Sequence, residues 1–164
     1  WSNEEYGLVA RAQLHDNEVV FVKAAIEMNR TGPWMRHLTD QAGLAPQDCV
    51  VVHDDINLKP GVVRNRLAGS SGGHKGMQSI IAAYQSEEIR RVKIGVGSAP
   101  EGMPISRYVL SPIEASKVDT IEEACRTAAT RVLEMIKAHA ISTAEAAAAP
   151  DAEPAPEAEA PSQG

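Results

Sequence analysis

The sequence predicts an α/β fold, because runs typical of buried strands alternate with runs that have the apolar spacing of helices. Residues 49–52 form a continuous apolar run, and 92–96 are also rich in apolar residues, as in strands covered on both faces. Apolar residues recur at helical spacing within 34–42, 77–84 and 121–136. This alternation indicates a sheet with helices packed against it.

The first third of the chain predicts a β-hairpin followed by a helix. Alternating residues over 6–14 and 19–23 favour two strands, and 15–17 favour a turn between them. Residues 31–33 (Thr-Gly-Pro) are typical of a helix start, and Gly43 is typical of a helix end.

A glycine-rich loop at 69–76 lies between a strand predicted over 62–67 and the helix predicted over 77–84. Glycines allow close backbone approach, and a helix start adds partial positive charge, so the loop suits a phosphate. It is not a Walker A loop, because it ends in Gly-His-Lys-Gly rather than Gly-Lys-Ser/Thr. A flexible surface turn is the alternative interpretation.

The C-terminal part predicts a long helix and then a tail. Ser111, followed by proline and by Glu114, matches a capping box that would start a helix running to about His139. Residues 142–164 consist of Ala, Glu, Pro and other small or polar residues, and we expect them to be disordered. Residues 1–141 would then form one domain.

The composition is typical of a globular protein, with 164 residues of which 43% are hydrophobic. No apolar run is long enough for a transmembrane helix, so we expect no membrane partner. Cys49 and Cys125 lack the spacing of a redox or zinc motif, and we interpret them as core residues in a reducing compartment.

The net charge of −6 argues against nucleic-acid binding, but the charge is unevenly distributed. Five acidic residues lie between Thr143 and the C-terminus, and removing their charges leaves −1 for the rest. A nearly neutral body with a basic patch is compatible with binding an anionic backbone, although solvated surface charges are the alternative. The basic residues near the glycine loop are Lys59, Arg64, Arg66, Lys75, Arg90, Arg91 and Lys93.

Asp54 and His74 are candidate catalytic residues, because one follows a buried strand and the other ends the glycine loop at the same expected edge. A carboxylate beside a histidine fixes the tautomer of the ring and supports general-base catalysis. Alternatively, Asp54 caps a turn and His74 lies on the surface. A metal site is disfavoured, because His53 and Asp54 would point to opposite faces of their strand.

Asn29 lies between a predicted strand and a predicted helix. Its amide could donate to a substrate carbonyl or cap the helix that follows. The spacing alone favours capping.

Several segments together resemble bacterial-type peptidyl-tRNA hydrolases. No single segment is specific, but their order and spacing agree over about residues 6–139. The matching segments are MNRTG (28–32), VHDDINLKPG (52–61), GSSGGHKGMQSII (69–81), RVKIGVG (91–97) and YVL (108–110).

This resemblance implies a three-layer α/β/α fold with a twisted mixed sheet. It also implies a cytoplasmic, monomeric hydrolase that cleaves the ester between a peptide and the 3′ ribose of tRNA and needs no metal or cofactor. In the family an aspartate matching Asp54 supports a catalytic histidine, and a loop histidine matches His74. Contacts with the peptidyl-tRNA partner would be made by Asn29, Lys75, Arg64, Arg66 and Lys93.

The sequence also departs from the family pattern. The opening strand, with its Asn-Pro-Gly and Thr-Arg-His-Asn motifs, is absent, so we expect an N-terminally truncated chain without the catalytic histidine. Such a chain should be inactive and poorly soluble, with apolar strand edges exposed at 50–52 and 92–96. Lys75 replaces the usual asparagine, and Glu27 replaces an aromatic residue.

Two other functions remain open at this point. An RNA-binding relative without catalysis, like the organelle splicing factors built on this fold, would explain Glu27, Lys75 and the acidic tail. A metal-dependent hydrolase using His53, Asp55 and His74 is the weaker option.

Overall fold

The computed structural model describes residues 1–14 and 17–148, and the side chains as far as residue 139. The strands in this part are β1 (Ser2–Glu4), β2 (Gly7–Leu14), β3 (Asn17–Ala24), β4 (Val50–Asp55), β5 (Val63–Arg66) and β6 (Arg90–Gly95). The helices are α1 (Thr31–Ala42), α2 (Lys75–Tyr84), α3 (Ile105–Val109) and α4 (Val118–Ala148). Short 3-10 helices occupy Met28–Arg30, Pro46–Asp48 and Ala115–Lys117.

The N-terminal strands form an antiparallel sheet in the order β1-β2-β3. The pairing of β2 with β3 confirms the predicted hairpin, while residues 15–16 of the predicted turn lie outside the described residues. The sheet is attached to α1 through Trp34, which packs edge-on against Tyr6 with the ring centroids 6.3 Å apart. Gly7 permits this approach, since a Cβ there would come within 2.6 Å of the indole.

The second sheet is mixed, in the order β4-β6-β5. β4 and β6 are parallel, and β5 is antiparallel to β6, so the chain crosses through β5 and α2 between the two parallel strands. The register places Val51 and Val92 on opposite faces of this sheet. Helix α2 covers the face with Val51, and α4 packs against β5 and β6, which confirms the predicted α/β/α arrangement.

The core lies between α1, α2 and the mixed sheet. Met77, Ile80 and Tyr84 of α2 pack with Ile89, which precedes β6. The Tyr84 hydroxyl lies 2.6 Å from the hydroxyl of Thr39 on α1, so the buried phenol keeps a hydrogen-bond partner.

The edge position of β4 overturns part of the sequence interpretation. In the described part, β4 pairs only with β6, and Val52 is 47% exposed. The prediction that 49–52 are buried on both faces is therefore wrong at Val52, whereas the prediction of an exposed apolar edge is confirmed there. For 92–96 the expected exposure is wrong, because β6 lies between two strands and Val92 is fully buried.

The C-terminal helix begins and ends later than the sequence predicts. Ser111 does not cap it, because the Ser111 hydroxyl donates to the carbonyl of Arg107 at 2.7 Å and so closes α3, a helix that the sequence analysis missed. α4 then continues to Ala148, past the predicted start of the tail at residue 142. Alanine is the strongest helix former, which accounts for this continuation. The predicted disordered residues 149–164 lie outside the described residues.

Among the residues that the structure describes, none of the helices combines the length and the apolar character needed to cross a bilayer.

The contact between α1 and α2 yields a test of the fold. Gly32 donates its backbone N–H to the Ser79 hydroxyl at 3.0 Å, and a Cβ at Gly32 would collide with the Ser79 carbonyl. Gly32→Ala should lower the free energy of unfolding by about 1–3 kcal/mol, because the backbones must separate to relieve the overlap. Urea denaturation measures this loss. His37→Ala on the exposed face of α1 is the control, and equal effects of both changes would contradict the close contact.

Candidate functional site

A carboxylate and an imidazole meet where β4 ends and α2 begins. His74 Nε2 lies 3.1 Å from Asp54 Oδ1, and both side chains are partly buried. The prediction that these two residues could meet is therefore confirmed. The hydrogen bond from His74 lowers the pKa of Asp54, and this effect outweighs the burial that raises the pKa. Asp54 is consequently ionised at neutral pH.

The hydrogen bonds of His74 determine its tautomer. His74 is the N-cap residue of α2, and its Nδ1 accepts the backbone N–H of Met77 at 3.1 Å. Nδ1 must therefore carry a lone pair, which places the ring proton on Nε2, where it is donated to Asp54. With both ring nitrogens engaged, His74 has no lone pair left to accept a proton from water.

The glycine loop carries the chain to this position. Gly69, Gly72 and Gly73 have φ values of 128°, 58° and 85°, a backbone conformation that side chains with a Cβ rarely adopt. The His74 N–H donates to the Ser71 carbonyl at 3.1 Å, which closes a turn just before α2. The loop therefore bends sharply and presents the imidazole to Asp54.

His53 is a neutral imidazole beside this pair. Its Nδ1 lies 2.6 Å from the carbonyl oxygen of Asp54, which can only accept, so Nδ1 carries the proton. Burial lowers the pKa of His53 to about 4, and the positive charge of nearby Lys93 acts in the same direction. Its ring lies 4.5 Å from the ring of His74. Nε2 of His53 is buried and has no hydrogen-bond partner among the described residues.

Lys93 and Asp55 form an ion pair on the side of the sheet that also carries His53. The Nζ–Oδ2 distance is 2.5 Å, and the Asp55 side chain is only 8% exposed. Burial raises the pKa of Asp55, but the contact with Lys93 and the N–H of Asn57 lower it by more. Much of the Lys93 charge is thus compensated within the protein.

The other predicted basic contacts are exposed. Arg64 and Arg66 lie on β5, and Lys75 is the first residue of α2. Arg64 is directly opposite Lys93 in the β5–β6 register, so these two side chains share one face of the sheet. By the same register Arg66 lies opposite Arg91, so Arg64 and Arg66 follow the same face of β5.

Asn29 lies in the 3-10 helix that precedes α1 and is exposed to solvent. The prediction that it caps α1 is wrong, because Arg30 is the N-cap residue and no side chain caps that helix. The Asn29 carbonyl instead accepts the Ser79 hydroxyl at 2.8 Å, which holds this segment against α2. Its side-chain amide is not used for capping.

The side chains described, in residues 1–14 and 17–139, were considered as metal ligands. No group of three or more His, Cys, Asp or Glu side chains is placed there to hold an ion. Asp55, one of the ligands considered, is bound to Lys93 instead.

Sequence reasoning missed the neutral state of His53 and the tautomer of His74. A histidine next to Asp54 was visible in the sequence, but the burial that lowers its pKa exists only in the folded structure. The N-cap position of His74, directly before an apolar helical run, was the one signal that could have indicated its use as a cap.

The sequence was also compared with known proteins. A sequence profile described as peptidyl-tRNA hydrolase matches residues 1–154. The chain belongs to the peptidyl-tRNA hydrolase family. The resemblance of the ordered motifs is thereby confirmed.

Individual peptidyl-tRNA hydrolases agree with this assignment. The protein from Thermotoga petrophila is 43% identical over 110 residues, which make up 67% of this chain and 59% of that protein. The protein from Geobacillus kaustophilus is 35% identical over 132 residues, covering 80% of this chain and 71% of that protein. The chain thus spans 59% of the length of its Thermotoga relative.

The fold is also that of a peptidyl-tRNA hydrolase. The crystal structure of the enzyme from Acinetobacter baumannii superposes with a TM-score of 0.77 at 22% identity. The superposition covers 86% of this chain and 72% of that chain. At this identity the likeness establishes the fold.

The neutral state of His53 predicts a specific pH dependence of stability. Because burial lowers the pKa of His53 from 6.5 to about 4, the unfolded chain binds more protons between these values. The contribution of neutral His53 to the free energy of unfolding should therefore be complete above pH 6.5 and lost as the pH falls towards 4. In His53→Gln, which cannot titrate, this part of the slope should disappear in urea titrations.

The matched control is His37→Gln on the exposed face of α1, which should keep the slope of the unmodified protein. An unchanged slope in His53→Gln would show that His53 titrates normally in the folded state.

Proposed function

We propose that the protein hydrolyses the ester bond that joins a peptide to the ribose of tRNA. The observation that carries this proposal is the ionised carboxylate of Asp54, held by His74 at 3.1 Å in a member of the peptidyl-tRNA hydrolase family. Water attacks the ester carbonyl carbon, and a base takes the proton of that water. The carbon–oxygen bond to the ribose then breaks, and the ribose oxygen takes up a proton.

Asp54 is proposed to support the base. A carboxylate that accepts from an imidazole N–H keeps the ring in one tautomer and stabilises the imidazolium that forms when the ring takes a proton. The lowered pKa of Asp54 suits this role, because the carboxylate stays charged throughout the working pH range.

His74 is proposed to position Asp54 rather than to act as the base. Its Nδ1 is engaged by Met77 and its Nε2 proton by Asp54, so proton transfer to His74 would first require loss of the α2 cap. The family resemblance assigns the base to a histidine in a Thr-Arg-His-Asn context, a motif that does not occur in the 164 residues. We therefore propose that hydrolysis requires such a histidine and that residues 1–164 alone are inactive.

The exposed cations are proposed to bind the tRNA. Arg64 and Arg66 on β5 can approach phosphates directly, whereas Lys93 must share its charge with Asp55. Lys75, the first residue of α2, and the amide of Asn29, whose backbone carbonyl accepts from Ser79 of α2, are proposed to contact the substrate near the ester. The proposed enzyme is a cytoplasmic monomer.

The first test measures hydrolysis of an N-acetyl-aminoacyl-tRNA by the complete protein. Asp54→Asn keeps the shape of the side chain but removes its charge, and kcat should fall by about 10²–10⁴-fold, as for loss of general-base support. The control is Asp119→Asn, which changes an exposed carboxylate on α4. Full activity in Asp54→Asn would exclude the proposed role of Asp54.

The same experiment separates the enzyme from a catalytically inactive RNA-binding relative. Binding of deacylated tRNA without hydrolysis of N-acetyl-aminoacyl-tRNA by the unmodified protein would favour the binder. Hydrolysis with normal turnover excludes it.

Salt dependence tests the cations of β5. Each phosphate contact contributes about 0.7–0.9 to the slope of log association constant against log salt concentration. Arg64→Gln and Arg66→Gln should each reduce the slope for tRNA binding by about this amount. Arg126→Gln is the control, because Arg126 on α4 is engaged by Glu122 and Glu123. Unchanged slopes would place the tRNA elsewhere.

A further inference from the structure

Arg91 is a buried arginine whose guanidinium donates to backbone carbonyls. It lies on β6 and is only 2% exposed. No ion pair with a carboxylate is found for it among the described residues. Its donors are Nη1 to Ser70 at 2.9 Å, Nη2 to Gly69 at 2.8 Å and to Glu87 at 3.3 Å, and Nε to Ile89 at 3.2 Å.

Burial of this charge needs a reason beyond packing. Desolvation lowers the pKa of Arg91, so the site opposes the charged form, and an apolar side chain would fill the same space without that opposition. An apolar side chain, however, has no donors and cannot form hydrogen bonds with the carbonyls of two separate segments. Arg91 joins the start of the glycine loop, at Gly69 and Ser70, to the turn that leads into β6.

The glycine loop has little else to define its path. A Cβ placed at Gly69, Gly72 or Gly73 would meet no atom within 4 Å, so this part of the backbone runs through open space. The loop is held at its start by Arg91 and by the Gly69 N–H, which donates to the Glu87 carbonyl at 3.1 Å. It is held at its end by the cap of α2, which is His74.

β6 also contacts the end of the strand that carries Asp54, the partner of His74. Lys93 lies two residues beyond Arg91 and therefore on the same face of the strand. It binds Asp55, the residue next to Asp54. One strand thus contacts both the loop that carries His74 and the strand end that carries Asp54.

We propose that Arg91 is a positioning residue for the Asp54–His74 pair. By holding Gly69 and Ser70, it determines where the loop delivers His74 and keeps Nε2 within hydrogen-bond distance of Asp54. This inference rests on the proposed function for its effect on catalysis, but its effect on the geometry of His74 is independent of any activity.

The test compares Arg91→Lys with Arg36→Lys in the complete protein. Lysine keeps the charge of Arg91 but has no planar fork of donors, so it cannot bind the loop and the turn before β6 together. Arg36 is the matched control, because its guanidinium also donates to a backbone carbonyl, that of Ala83 on α2, away from the loop. Nitrogen-15 NMR of the His74 ring reports its tautomer, and N-acetyl-aminoacyl-tRNA hydrolysis gives kcat and KM.

Arg91→Lys should lose the single tautomer of His74, with averaged ring nitrogen shifts. Its kcat should fall by about 10- to 100-fold with KM within about twofold, as expected for misplacement of a catalytic group by about an ångström. Arg36→Lys should keep both the tautomer and kcat. A folded Arg91→Lys protein with the unmodified tautomer and kcat would overturn the proposal.

A second variant covers the case in which Arg91→Lys does not fold. A glycine inserted between Gly72 and Gly73 leaves the bonds of Arg91 in place but separates them from His74. This variant should fold and show the same averaged tautomer, and an unchanged tautomer would overturn the proposal. If the unmodified protein does not hydrolyse the substrate, the proposed function fails, while the NMR comparison still decides the role of Arg91.

Discussion

The structure of the site depends on the two hydrogen bonds of one imidazole. His74 caps α2 with Nδ1 and donates to Asp54 with Nε2, so the start of a core helix and the end of a sheet strand are joined through a single ring. A change of tautomer would disrupt both bonds, because the proton can occupy only one nitrogen of the neutral ring. Helix capping therefore contributes directly to the electrostatics of the site.

The three consecutive titratable side chains at the end of β4 differ in their charge. Asp54 is ionised because His74 donates to it, and His53 is neutral because burial disfavours its cation. Asp55 is ionised but compensated by Lys93. Such a division between charged and neutral groups within three consecutive residues is typical of sites that handle protons, and Asp54 is the carboxylate proposed to support a base.

Arg91, Arg126 and Arg64 have different surroundings, and these separate their roles. Arg91 is buried and holds backbone carbonyls, Arg126 is exposed and engaged by carboxylates of its own helix, and Arg64 is exposed on β5 beside Lys93. In the sequence, Arg64 and Arg91 belong to the same basic cluster around the glycine loop. Only the packing around each guanidinium shows that one is buried and donates to backbone carbonyls while the other faces solvent.

Local patterns in the sequence were sufficient for the hairpin, for α1 with its glycine end, for the strand–loop–helix order around His74 and for the family. The helix after Ser111 was misplaced, because its hydroxyl closes α3 instead of capping α4. Tertiary structure decided the exposure of Val52, the neutral state of His53, the tautomer of His74 and the hydrogen bond from Arg91 to Gly69. Each depends on how much water remains around a group and on which donor or acceptor reaches it. Those partners are up to 22 residues away in sequence, as for Arg91 and Gly69, and local pattern does not encode them.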